Sequence, residues 1–285
     1  MRPPVNPASK ALWYIETNFG NEISLDSVAQ AAGVSRFHLA RVFETRMGRS
    51  VMGYVRARRL AIAARQLAAG APDILAVALD AGYGSHEAFT RAFTAAFGVT
   101  PEAAREAGSI ATFNLQEAIL MPDTLIDTPS PHTLQRGRAM TIGGLAGGYT
   151  PETSAAIPSL WQSFVQWLPD VPGRTGEAFT TYGLCYNQAD NGFDYMAGVE
   201  VDPKADLPAE FKTVELKALT YAVFAHTGHI SGIRGTWASI WDKWLPESGL
   251  KVLPEPFLEK YGPKFNGMTG EGGLEIWVPV AIPSS

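Results

Sequence analysis

Apolar residues recur at helical spacing through the first third of the chain, then fall at alternate positions in many segments of the second half. Residues 8–20 place Ala11, Leu12, Ile15 and Phe19 on one helical face. Ser24 or Asp26 can cap a helix that runs through Ala32, and Ser50 opens a long helix from Val51 to Ala69, stopped by Gly70 and Pro72. Within this region one pattern occurs twice. Val28 to Phe43, closing at Gly48, reads as a short Ala-rich helix, a turn at Gly33, a Ser35 cap and a second helix. Val77 to Phe93, closing at Gly98, repeats it with Gly82 and Ser85. Leu39, Arg41 and Phe43 match Phe89, Arg91 and Phe93, so each second helix is apolar on one side and carries Arg on another. These are two helix-turn-helix units spaced by one long helix, seven helices in all, and such a unit can seat a helix in a DNA major groove.

The stretch 108–138 changes character, with Pro122, Pro129 and Pro131 among Ser and Thr, and reads as a linker with one strand over Thr112–Ile119. A second, weaker duplication follows at an offset of 77 residues: Leu160, Phe164, Trp167, Leu168 and Pro169 align with Trp237, Trp241, Trp244, Leu245 and Pro246. Ile142–Leu145 aligns with Leu219–Ala222, and Thr150 with Thr227. Each copy reads as strand, turn, amphipathic helix and further strands, with Ala178–Asn187, Tyr195–Val201, Phe257–Tyr261 and Leu274–Val280 as the candidates. Two such modules predict one sheet with helices on one face and a cleft near the pseudo-symmetry axis.

Composition narrows the class. At 285 residues, 46% hydrophobic and 18% charged, the chain can bury two cores. A lone cysteine, Cys185, excludes an intrachain disulfide and fits a reducing cytoplasm. Neither an apolar leader nor an 18-residue apolar run is present, so a soluble, cytoplasmic protein with no membrane partner is expected. The net charge of −5 divides unevenly: residues 1–110 carry 12 Lys+Arg against 9 Asp+Glu, and residues 111–285 carry 11 against 19. Eight arginines and one acid, Glu44, lie between Arg36 and Arg65, around the first recognition helix, as a phosphate-binding surface requires.

Residues 8–107 resemble the DNA-binding domain of AraC/XylS-type transcription regulators. The resemblance is carried by Gly33-Val34-Ser35, Leu39, Arg41 and Phe43, then Arg58-Arg59-Leu60, Gly82-Tyr83-Gly84-Ser85, Phe89-Thr90-Arg91-Ala92-Phe93 and Gly98-Val99-Thr100-Pro101. Residues 131–285 are similar to the GyrI-like small-molecule-binding module through Gly147-Gly148-Tyr149, His226-Thr227-Gly228, Trp241 to Pro246, Leu258 to Tyr261 and Glu275 to Pro279. The order of parts is that of Rob-like regulators. The resemblance implies an all-α double helix-turn-helix domain over 8–107, a linker over 108–130 and an α+β effector-binding domain over 131–285. It implies double-stranded promoter DNA and a small-molecule effector as partners, with RNA polymerase a further one, and no cofactor.

Candidate DNA contacts are Arg36, Phe37, Ala40 and Arg41 in the first recognition helix, and His86, Glu87 and Arg91 in the second. Arg41 suits a guanine edge and Phe37 a thymine methyl, whereas Glu87 either accepts from a cytosine amino group or weakens its half. Both arginines could instead touch only phosphate. His38 reads as a structural or phosphate-contacting residue. In the second part the aromatics Tyr149, Trp161, Trp241 and Tyr261 are candidates for cleft walls, and Trp237, Trp241 and Trp244 also fit plain helix-to-sheet packing. Alternation along Leu274–Val280 sets Glu275 and Trp277 together on one strand face, and the family resemblance turns that face toward the cleft. Glu259 is the second candidate carboxylate. A hydrophobic effector, cationic or neutral, is the favoured ligand; a buried Glu with a Tyr could also serve a hydrolase, and a protein-binding modulator is a third reading.

Overall fold

The computed structural model describes residues 6–19, 21–119, 133–151, 153–189 and 192–282. The chain divides into two compact units, a helical one over 14–119 and a sheet-rich one formed by 1–13 with 120–285.

Seven helices supply the first third: α1 (Pro7–Glu16), α2 (Leu25–Ala32), α3 (Arg36–Met47), α4 (Val51–Ala68), α5 (Ile74–Asp80), α6 (His86–Phe97) and α7 (Pro101–Ala107). All seven described starts are fixed by a side-chain cap, from Asn6, Ser24, Ser35, Ser50, Asp73, Ser85 and Thr100, which explains how closely the predicted boundaries hold. Ser24 is the cap of α2, closing a reciprocal box with Ser27. Leu39 and Phe43 of α3 are fully buried, as are their counterparts Phe89 and Phe93 of α6. An ion pair is buried midway along α4: Arg58 donates from Nη2 to Glu16 Oε2 at 2.8 Å and from Nε to Oε1 at 3.0 Å, and the Tyr54 hydroxyl donates to Oε1 at 2.7 Å.

The strand expected over Thr112–Ile119 does not form. Ile110, Phe113 and Leu115 instead pack on the core of the second helix-turn-helix, with the Phe113 ring stacked on Phe97 at 4.9 Å. The backbone finds side-chain partners: the Gln116 carbonyl accepts from Arg58 at 2.9 Å, and the Ile119 N–H donates to Tyr54 at 3.2 Å. Residues 108–119 thus complete the helical unit, while Pro122 and Pro129 lie outside the described residues.

The second unit is an antiparallel sheet carrying helices. Its elements are β1 (Thr133–Arg136), β2 (Met140–Tyr149), α8 (Ile157–Val165), β3 (Thr181–Ala189), β4 (Gly192–Val201), β5 (Lys212–Leu216), β6 (Thr220–His226), α9 (Ile233–Ser239) continuing through a π-helical turn (Ile240–Trp244) into α10 (Leu245–Ser248), β7 (Lys251–Val252), β8 (Phe257–Tyr261) and β9 (Leu274–Ala281). Strand order is β1-β6-β9-β8-β3-β4-β2-β5, with β7 paired to β9. The order is a pseudo-two-fold: β3-β4-β2 mirrors β8-β9-β6 about the central β3–β8 pair, matching the 77-residue repeat. Each flanking strand crosses over, since β1 precedes β2 but pairs with β6, and β5 precedes β6 but pairs with β2. Neither β1 nor β5 was expected; the four residues of β1 are all exposed and show no alternation to read.

Among the described residues, three apolar clusters line the sheet, one of them formed by Phe164, Val171, Ala197, Val199, Val201 and Phe211. Phe224, Ile240, Phe257, Tyr261, Leu274, Ile276 and Val278 pack beneath the tryptophans of α8 to α10. Ile142, Tyr182, Leu184, Met196, Tyr221, Val223 and Leu258 form the opposite face, against which Trp277 packs. The first residues of α1 belong with this unit: Lys10 pairs with Glu271 at 3.0 Å and Trp13 meets His229 edge-on at 5.0 Å. Among the described residues, no helix is long and apolar enough to cross a membrane.

Candidate functional site

On the helix-facing side of the sheet, the alternation of β8 projects Phe257, Glu259 and Tyr261 together, at the central β3–β8 pairing. Glu259 is only 6% exposed. Three neutral groups donate to its carboxylate: Tyr195 Oη to Oε2 at 2.7 Å, Tyr261 Oη to Oε2 at 2.8 Å and Trp237 Nε1 to Oε1 at 2.9 Å. Trp161 of α8 extends the network, donating from Nε1 to Tyr195 Oη at 3.0 Å. Each repeat thus lends one helix tryptophan, and β4 and β8 lend the hydroxyls.

The approach of Tyr195 to Glu259 depends on a missing side chain. Gly183 of β3 lies opposite Glu259 in register, and a Cβ there would overlap Tyr195 Oη and sit 2.8 Å from Glu259 Oε2. Around this center the rings pack edge to face: Trp161 on Tyr261 at 4.9 Å, Tyr149 on Tyr195 at 6.4 Å and Trp241 on Phe257 at 5.3 Å. Trp241 also lies parallel to Trp237 at 6.2 Å, and Trp244 packs on Phe224 at 4.7 Å as a plain core residue.

Burial governs the protonation of this cluster. Loss of water raises the Glu259 carboxyl above the usual carboxylate range, and the three hydrogen bonds, which favour the anion, oppose but do not cancel that rise. The Tyr195 and Tyr261 hydroxyls are raised well above normal by burial and by the neighbouring Glu259, so they remain donors. Burial also pushes the Cys185 thiol up, keeping it unreactive.

The structure therefore gathers Glu259, Tyr261, Trp161, Tyr149 and Trp241 from the sequence-predicted set, and adds Tyr195, Trp237 and Gly183. Glu275 and Trp277 are together, as their alternation requires, but on the opposite side of the sheet: Leu274, Ile276 and Val278 occupy the helix-facing side. There Trp277 Nε1 donates to Glu275 Oε2 at 2.9 Å, and Glu275 is half-exposed beside Lys260 in register. Alternation fixes which residues share a face but not which face the helices cover.

The second surface is formed by α3 and α6. Arg36, Phe37 and Arg41 are exposed on α3, with Ala40 half-buried between them, and Phe37 is 76% exposed. An isolated exposed Phe is ordinary, but this one sits at a recognition-helix start with the Arg36 guanidinium 5.3 Å from its ring. On α6, Arg91 and Glu87 are exposed, while His86 Nε2 is hydrogen-bonded to Glu102 Oε1 of α7 at 3.0 Å. The Glu87 carboxyl is held below its usual range by its own backbone N–H and by Ser85 at the helix start. His38 is exposed on α3.

Two family models match the two parts of the chain. Residues 28–107 match a helix-turn-helix domain, and residues 134–281 match the GyrI-like small molecule binding domain. The Transcriptional regulator Rob of Salmonella typhimurium is 25% identical over 95% of this chain and 96% of its own length. The Right origin-binding protein of Escherichia coli K12 is 24% identical over 95% of this chain and 96% of its own. The Transcriptional regulator BrlR of Pseudomonas aeruginosa is 27% identical over 44% of this chain and 46% of its own.

Proposed function

Because the chain belongs to the GyrI-like family of small-molecule-binding domains and joins that domain to an AraC-type helix-turn-helix domain, we propose that it is a one-component transcription regulator sensing a hydrophobic cation. Glu259 carries this reading. It is a buried carboxylate whose three hydrogen-bond donors are neutral and whose neighbours are aromatic. A carboxylate in that setting is costly to ionise by itself, and a cation of matching shape relieves the cost while the indole and phenol faces add cation–π attraction. Trp161 and Trp237 wall the site, and Tyr195 and Tyr261 orient the carboxylate.

The helical unit is the reader. Arg36, Phe37, Ala40 and Arg41 present the first motif to one major groove, and His86, Glu87 and Arg91 present the second to the next. Such a protein acts in the cytoplasm, on promoter DNA, with RNA polymerase nearby. Catalysis is not part of the proposal: the donors around Glu259 orient an anion, and relatives named as transcription regulators support a sensor.

The test is calorimetric titration of the intact chain with an aromatic trimethylammonium compound and its uncharged tert-butyl isostere. The cation should bind more tightly and be recovered unchanged. Equal affinities would sink the charge-sensing reading, and conversion of the compound would move the protein to the hydrolases.

A further inference from the structure

The side chain of Arg59, halfway along α4, spans the two helix-turn-helix motifs. Its Nη2 donates to the Asn21 carbonyl at 2.9 Å and lies 3.5 Å from the Phe19 carbonyl, in the loop leading into the first motif. Its Nη1 lies over Gly82 in the turn of the second motif, so close that any Cβ at Gly82 would overlap it. Gly82 also has φ +80°, so the turn needs glycine for its backbone, and the absent side chain leaves the space that the guanidinium occupies. Among the described residues, the Arg59 Nε and neighbouring Tyr83 hydroxyl atoms are both buried without a hydrogen-bond partner. Burial lowers the Arg59 pKa, with only the Tyr83 hydroxyl opposing the shift.

Fold stability alone gives a poor account of this arrangement. A half-buried cation held by carbonyls, with its Nε unsatisfied beside an unsatisfied Tyr83 hydroxyl, costs free energy that an apolar side chain would avoid. What an apolar side chain could not do is hold a planar, rigid fork against the carbonyls of Phe19 and Asn21 at one end and the 82–83 turn at the other. We infer that Arg59 is a positioning residue that fixes the separation and rotation of α3 and α6, and so sets the spacing between the two DNA half-sites the protein accepts. The inference rests on the reading that both motifs bind DNA together.

The test uses the intact chain and a duplex selected by the wild type from a randomised library. Half-sites one helical turn apart are expected, and inserting about five base pairs between them should cost the wild type about tenfold or more in affinity by removing one motif's contribution. Arg59→Lys keeps the charge and the loop contact but loses the fork. It should bind the selected duplex several-fold more weakly, bind the extended duplex as the wild type does, and accept a broader range of spacers. Arg59→Met should do the same more strongly; if it fails to fold, as judged by circular dichroism, Arg59→Lys decides. An unchanged spacer profile in a folded Arg59→Lys overturns the inference, as does an equal loss on every duplex. If the wild type selects only a single half-site, the two-motif reading itself fails.

Discussion

Replacing Glu259 by Gln tests the sensor reading most directly, because it removes the charge and nearly preserves the shape. A cation about 4 Å from the carboxylate gains about 4 kcal/mol at an effective dielectric constant near 20. Desolvation of the incoming ion and of the carboxylate cancels much of that gain, as it does for buried ion pairs in general. Cation–π attraction to Trp161 and Trp237 survives in the variant. The net loss should be about 1.4–2.8 kcal/mol, or about 10- to 100-fold in Kd, for the trimethylammonium compound, with the tert-butyl isostere changing by less than about threefold.

The same substitution should remove a pH dependence whose sign follows from the raised Glu259 pKa. Cation binding requires the ionised form, so affinity rises as pH climbs through that pKa and levels off above it. Without ligand the sign of the stability change is opposite. A carboxyl whose folded pKa is raised stabilises the fold fully below its unfolded value of about 4.3, and that contribution is lost as pH rises through the folded pKa. Thermal midpoints of the ligand-free wild type should therefore fall across that window relative to Glu259→Gln, and saturating cation should restore them. Glu275→Gln, on the other sheet face, should leave both behaviours intact. Equal weakening of cation and isostere by Glu259→Gln, or a flat wild-type pH profile, refutes the reasoning.

Arg41→Ala should weaken DNA binding more than Arg91→Ala, since α3 lies in the denser field of arginines; loss of a bidentate base contact costs about 1–3 kcal/mol and relaxes one operator position, whereas uniform weakening across sequences would make Arg41 a phosphate contact. Glu16→Gln strands the Arg58 guanidinium and should destabilise the helical unit by about 3–5 kcal/mol in a urea titration followed by helical circular dichroism, where a loss below about 1 kcal/mol would count against the pair. Gly183→Ala forces Tyr195 away from Glu259 and should abolish cation selectivity while costing about 1–3 kcal/mol in stability; wild-type selectivity in a folded variant would show that this hydrogen bond is dispensable.

The helical unit was legible in the sequence because its signals are local. Caps at Ser35 and Ser85, followed by buried residues four apart, specify both recognition helices without reference to anything distant. The center of the sheet was partly legible: Phe257, Glu259 and Tyr261 alternate, and an acid between two aromatics on one strand face is itself a signal. Glu275 beside Trp277 carries the same signal, and only the placement of the helices separates the two. Tyr195 was not foreseen because its partner lies 64 residues away across two strand pairings. Trp237 was expected as packing and does pack, but its indole N–H also reaches the carboxylate. The segment 112–119 misled because Phe113 and Leu115 alternate as a strand would, whereas a waiting core and the side chains of α4 satisfy them without a partner strand.

The crossed flanking strands determine how the molecule can be made. The β1 strand waits for β6, β2 is bordered by β5, and the axis itself closes only when β3 meets β8, whose residues 257–261 leave the ribosome late. No half of the sheet is a finished folding unit, and its pairings span long stretches of chain, which makes for slow assembly. The helical unit, with short-range contacts and its own caps, can be complete while the sheet is still being synthesised. For that interval the helix-turn-helix domain stands without its small-molecule-binding partner domain.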